Sequence, residues 1–369
     1  MIFRVNSEFA VWLPVYTLND FTYQTVFYKF LLLMECLLSL FAFIFTATTV
    51  YIVSTSQAFH RNLNSLIASI ISSWLLSLIG RALLTPYLVG IWTAGGISSE
   101  FRFWWTDDVA EMAPIRTMRE AWPLFLGGAL TWYYMFIMVT CLFILSLERT
   151  CASFFISNYE KTSRSYVCIV LIAFHHCMVL TMTYICFWNR VHFAPAISFC
   201  IGVNVLAVLI FWGNNRYNRK LIRKFEKKKE NVLIYSLPVK FQAKENIRSF
   251  NLTLRVIVCG FILIFAAISC IIALTYKVFP SLATFLVYTS ENIIHLNPLL
   301  VCPVLVFSVS TWSKALLHSR VHWIRKITDI TFIDLPVVPI PERGANLQQR
   351  ETDAYFSQLQ NSWERRIRQ

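Results

Sequence analysis

Seven stretches of about 20 mostly apolar residues each, at 30–53, 66–89, 124–147, 166–188, 195–212, 256–276 and 282–306, constrain this chain more than anything else in it. Backbone inside the hydrocarbon of a bilayer finds no water to bond, so a single stretch of this length crosses as an α-helix that satisfies its own amides. Seven of them predict an all-α membrane protein, a seven-transmembrane helix bundle. Composition agrees: 57% of the 369 residues are apolar and only 14% are charged, whereas about a quarter are charged in ordinary soluble domains. Only 189–194 separate the fourth and fifth stretches, which read as a hairpin.

The polar passage 214–250 carries eleven Lys or Arg against three Glu and resists translocation. With the N-terminus outside and the C-terminus inside, the inner segments hold 24 Lys or Arg and the outer ones 7, and this asymmetry sets the expected orientation. The chain then divides into an extracellular N-terminal segment at 1–29, a seven-span domain at 30–309 and a cytoplasmic tail at 310–369. No charged-then-apolar secretory pattern opens the chain, so no cleaved leader is expected. In the tail, 311–327 sets Trp312, Leu316, Val321, Ile324 and Ile327 among basic residues, the pattern of an amphipathic helix on the inner leaflet. The sequon Asn251-Leu252-Thr253 falls on the inner side and should carry no glycan. The 33 basic residues outnumber 20 acidic ones, but their concentration in loops fits membrane topology and acidic lipid rather than a nucleic-acid surface.

Ionisable side chains within spans cost several kcal/mol unless paired or facing water, so they are the sharpest functional signals. They are Glu35, Arg81, His175, His176, Glu291 and His295. In the expected orientation Glu35, Arg81 and Glu291 lie at similar outer depth. Arg81 is therefore expected to pair with Glu291 or Glu35 and to floor an outward-facing ligand cavity, with His295 on the same helix face as Glu291. The outer loop 90–123 carries Trp92, Trp104, Trp105, Asp107, Asp108 and Glu111 and reads either as a lid over that cavity or as a headgroup-level aromatic belt. The ten cysteines lie in or beside the apolar runs and read as small buried hydrophobes. No nucleophile elbow, phosphate loop, HExxH or metal-ligand spacing occurs. Neither an enzyme nor a cofactor is expected.

Three passages carry a resemblance. Leu147-Glu148-Arg149 leads to Asn158-Tyr159-Glu160-Lys161 after the third span. Tyr235-Ser236-Leu237 is followed by Phe241-Gln242-Ala243-Lys244-Glu245-Asn246-Ile247-Arg248 before the sixth, and Glu291-Asn292-Ile293-Ile294-His295-Leu296-Asn297-Pro298 lies in the seventh. With these the chain resembles, over its whole length, the nematode serpentine chemoreceptors of class epsilon, the Sre family. The resemblance implies a G-protein-coupled receptor in the plasma membrane of sensory neurons, their cilia included, with an unidentified small-molecule ligand and a heterotrimeric G protein as partners. It also implies that Glu148-Arg149 stands where rhodopsin-like receptors end their third helix with an acidic-Arg pair. By the same resemblance Asn297-Pro298 matches their helix-seven element. Coupling or switch roles then fall to Glu148, Arg149, Tyr159, Lys244, Glu245, Asn246, Arg248, Asn297 and Pro298. Thr150 follows Arg149 where those receptors have Tyr, and Val301 stands where their seventh helix has another. A cation channel of inverted topology and a small-solute transporter are the rival readings. The loop charges oppose the first, and the lack of an evident inverted repeat opposes the second.

Overall fold

The computed structural model describes residues 1–6, 9–56, 58–94, 100–101, 106, 108–155, 165–227, 233–276 and 278–317. Among them nine α-helices run in chain order: α1 Val26–Thr55, α2 Arg61–Leu88, α3 Trp122–Phe154, α4 Ser165–Phe187, α5 Phe193–Lys227, α6 Leu233–Thr275, α7 Ala283–His295, α8 Pro298–Phe307 and α9 Ser310–Leu317. Seven helical stretches are long and apolar enough to cross a membrane, the seventh being α7 and α8 together. The chain is thus a seven-span bundle.

Several helices outrun the apolar runs that signal them, because helix formation obeys backbone propensity as well as hydropathy. Helix α1 begins at Val26, inside the segment assigned from sequence to the N-terminal tail. Helix α3 continues to Phe154 through 148–154, which contains no Gly or Pro, so Glu148 and Arg149 lie within the helix rather than in the loop after it. The polar passage 214–250 is helical at both ends, with α5 extending to Lys227 and α6 starting at Leu233. Lys, Arg and Glu are good helix formers and need no bilayer to stay helical. The seventh span breaks at Leu296–Asn297, where Pro298 lacks an amide and its ring would meet the carbonyl four residues back.

Two glycines meet between α2 and α3. A Cβ added to Gly127 would stand 2.9 Å from the Gly80 carbonyl oxygen, so only glycine lets the backbones come this near.

The first residues form a small sheet, an element the hydropathy pattern does not announce. Strands β1 Ile2–Val5 and β2 Phe9–Trp12 pair antiparallel, and β3 Ala113–Ile115, from the α2–α3 connection, pairs parallel to β1. The order is β2-β1-β3. Residues 11–20 are buried without exception, and Val11, Leu13, Val15 and Leu18 cluster with Leu84, Leu88, Leu124 and Phe125 at the adjoining ends of α2 and α3.

The amphipathic segment expected at 311–327 is described only as α9, its remainder lying outside the described residues. Its apolar face turns to protein rather than lipid. Trp312 and Leu316, one turn apart, are buried, and the Trp312 ring meets Phe59 at 5.6 Å while its indole N–H donates to the Ser56 carbonyl at 3.4 Å.

Candidate functional site

Polar side chains gather in two centres inside the bundle, toward its opposite ends. The first is ionic. Arg81 of α2 donates through Nε to Glu35 Oε1 of α1 at 2.7 Å and through a terminal nitrogen to Glu291 Oε2 of α7 at 2.6 Å. All three side chains are about 5% exposed. One guanidinium thus bridges two carboxylates from two other helices, so Arg81 meets both of its candidate partners. Neighbouring amides and hydroxyls complete the shell. Asn292 Nδ2 donates to Glu35 at 3.3 Å, and the Tyr16 backbone amide bonds the Glu291 carboxylate. One turn further along α7, His295 meets Ser77 Oγ at 2.8 Å.

The second centre is held mainly by neutral amides. Glu148 and Arg149, adjacent on α3 and both almost wholly buried, pair with each other, one contact being Arg149 to Glu148 Oε1 at 2.6 Å. Arg149 also donates to Asn246 Oδ1 of α6 at 3.0 Å. Asn246 Nδ2 in turn donates to Ser153 Oγ of α3 and to Asn218 Oδ1 of α5, each at 3.1 Å. Asn218 Nδ2 donates to the same Ser153 Oγ at 3.0 Å, and Gln242 donates to Asn246 Oδ1 at 3.3 Å. A turn away, Asn214 of α5 donates to Thr150 Oγ1 at 2.8 Å. Three helices are therefore joined through one small network.

The same end of α6 is tied to the α1–α2 connection. Glu245 Oε1 accepts from the His60 amide at 2.7 Å, and the Arg248 guanidinium lies 5.0 Å above the Phe59 ring. Burial lowers the His60 imidazole pKa below its ordinary value, against the opposing pull of Glu245. Between the two centres, Tyr134 of α3 accepts from Trp74 Nε1 of α2 at 3.0 Å and from Asn297 Nδ2 at the α7–α8 break. His175 meets Thr140 at 2.9 Å and His176 meets Ser69 at 3.2 Å, which ties α4 to α3 and α2.

Of the residues singled out from sequence, Arg81, Glu35 and Glu291 come together, with His295 one turn away. Glu148, Arg149 and Asn246 come together at the other centre. Glu245 and Arg248 face the α1–α2 connection, Lys244 is exposed on α6, and Asn297 with Pro298 marks the helix break. Trp104, Trp105 and Tyr159 lie outside the described residues. Sequence reasoning assigned no role to Asn218, Gln242, Ser153 or Tyr134. Its available signal was amides four apart, at 214 and 218 on α5 and at 242 and 246 on α6, which puts each pair on one helix face.

Comparison with known proteins covers almost the whole chain. Residues 1–364 match the family model described as Sre G protein-coupled chemoreceptor. Serpentine receptor class epsilon-45 of Caenorhabditis elegans is 31% identical over 98% of this chain and 100% of its own length. Class epsilon-38 is 28% identical over 97% of this chain and 98% of its own, and class epsilon-37 is 28% identical over 98% and 99%, both from the same nematode.

Proposed function

The chain belongs to the Sre family of G protein-coupled chemoreceptors, and from that premise we propose that it is a multi-pass receptor of the sensory-neuron plasma membrane, cilia included, with its N-terminus outside. An external small-molecule cue binds at the outer centre around Arg81, and the inner ends of α3, α5 and α6 then part to admit a heterotrimeric G protein. Membership is of a receptor family, not an enzyme family. The orientation rests on the 24 inner and 7 outer basic residues.

The observation that supports this reading best is the link from Arg149 through Asn246 to Asn218. It joins the three helices whose separation would open the inner end, and parting α6 from α3 uncovers Arg149 itself. The neutral Asn246–Asn218 bond contributes about 0.5–1.5 kcal/mol and the bond from the Arg149 guanidinium about 1.5–3 kcal/mol, a sum that a ligand selective between two states can offset. The basic stretch of α5, with Arg216, Arg219, Lys220 and Arg223 along a groove of about 290 Å³, suits acidic lipid or an acidic partner.

The test requires some care with charge. Arg149→Ala alone would strand Glu148, which is 0% exposed, so the informative variant is Glu148→Gln with Arg149→Ala. Expressed with a promiscuous G protein and screened against volatile and soluble compounds, it should reach the surface and lose the response of the parent. A full response would remove Arg149 from the mechanism. Protease access to an N-terminal tag tests the topology independently, and a glycan on Asn251 would reverse it.

A further inference from the structure

The place expected for a ligand already has an occupant. Residues 11–20 belong to no span, yet all ten are buried. The indole N–H of Trp132 donates to the Trp12 carbonyl at 2.8 Å, and the two indole rings stack edge-on at 4.7 Å. Leu13 lies against Gly128, where an added Cβ would come within 2.6 Å of Leu13 Cδ2. The Tyr16 amide reaches Glu291, and Asp20 accepts from Thr284 of α7 at 3.0 Å. The segment thus spans α2, α3 and α7 and supplies a hydrogen-bond donor to the ionic centre itself.

Two further observations concern how it is held, beside the bonds that the Leu13 and Val15 carbonyls accept from the Met1 ammonium at 2.6 and 2.7 Å. All ten cysteines of the chain are free, so no disulfide fastens it. The Thr17 hydroxyl is buried without a hydrogen-bond partner among the described residues, a polar group left unsatisfied where the segment lies.

We propose that residues 12–17 are an intramolecular occupant of the outer ligand site, and that the molecule displacing them has an aromatic-sized apolar body and an N–H donor directed at Glu291. The segment serves as the mould: Trp12 and Leu13 outline the apolar volume, and the Tyr16 amide marks the donor. Because Arg81 divides itself between two carboxylates, a positively charged donor such as an ammonium suits Glu291 better than a neutral one. With the segment in place Arg149 remains joined to Asn246, so occupancy and the closed inner end occur together in one structure. The ligand class rests on the receptor reading above; the occupancy itself does not.

The experiment uses purified full-length protein in nanodiscs. Thr17→Cys reports exposure through its rate of labelling by a hydrophilic maleimide, with the parent chain as background. Gly128→Ala pushes a methyl group into Leu13 and should raise the rate at least tenfold, and adding Leu13→Ala should return it toward the starting value. Should Gly128→Ala fail to fold, Trp132→Phe removes the donor to Trp12 and should act in the same direction. Aromatic amines from phenethylamine to tryptamine at millimolar concentration should accelerate labelling, and Glu291→Gln should abolish the effect. 3-Ethylindole, which keeps the ring and lacks the ammonium, should not accelerate it. Labelling unchanged in both loosening variants overturns the occupancy, and failure of every amine overturns the ligand class. Nucleotide exchange on an added G protein, measured in parallel, separates the two readings: opening without exchange sinks the signalling reading alone, and exchange without opening sinks the occupant.

Discussion

The two polar centres use the same residue type for opposite ends. At the outer centre Arg81 is held by carboxylates 46 and 210 residues away, on α1 and α7. At the inner centre Arg149 is neutralised by its own neighbour Glu148, and among the described residues hydrogen bonds to neutral amides and a hydroxyl join it to α5 and α6. Separating the outer helices would leave a buried charge uncompensated, whereas separating the inner ones breaks bonds and leaves no charge unpaired. Charge therefore staples the outer end and polarity latches the inner one. The proposed opening toward a cytoplasmic partner would use this division.

The largest effect that could break this comparison is at Arg81. Replacing Arg81 with Ala leaves Glu35 and Glu291 facing each other in a dry interior, at a cost of about 3–5 kcal/mol. Thermal unfolding of the purified protein, or surface yield, should collapse, and Glu35→Gln, which removes the surplus carboxylate, should be far milder. A normal melting temperature for Arg81→Ala would mean that the outer centre is not a staple.

The intermediate effect sharpens the inner side. Asn246→Ala removes the contacts to Arg149, Ser153 and Asn218 together and should cost about 1–3 kcal/mol, while raising ligand-free nucleotide exchange on a co-expressed G protein. Lower stability without higher exchange would make the network an ordinary packing feature. The smallest effect is at Arg248, whose guanidinium above Phe59 is worth about 0.5–1 kcal/mol at an exposed site. Arg248→Gln should shift melting by a degree or two and raise basal exchange only slightly; an effect as large as that of Asn246→Ala would move the latch from α3 and α5 to the α1–α2 connection.

Much of this was legible without coordinates. The seven spans follow from apolar runs, and Glu35, Arg81 and Glu291 stand out because ionisable groups are scarce there. The exact helix ends were not legible, since α3 and α5 pass beyond the apolar runs that signal them. The sheet escaped because β1 and β2, IFRV and FAVW, show no apolar–polar alternation. Asn218 escaped because an amide in a polar, basic helix looks like one more solvated side chain, and only its neighbours reveal that it is 1% exposed.

The sequence by itself determined that the chain crosses a membrane seven times and which buried charges need partners. Each of these depends on residues close in sequence and on their transfer between water and lipid. Tertiary structure alone decided that Arg81 takes two carboxylates rather than one, that Asn246 joins α3 to α5, and that 11–20 fold into the outer end. Those outcomes depend on which helices stand side by side, and hydropathy along one chain is silent about distances between residues 46, 97 or 210 positions apart.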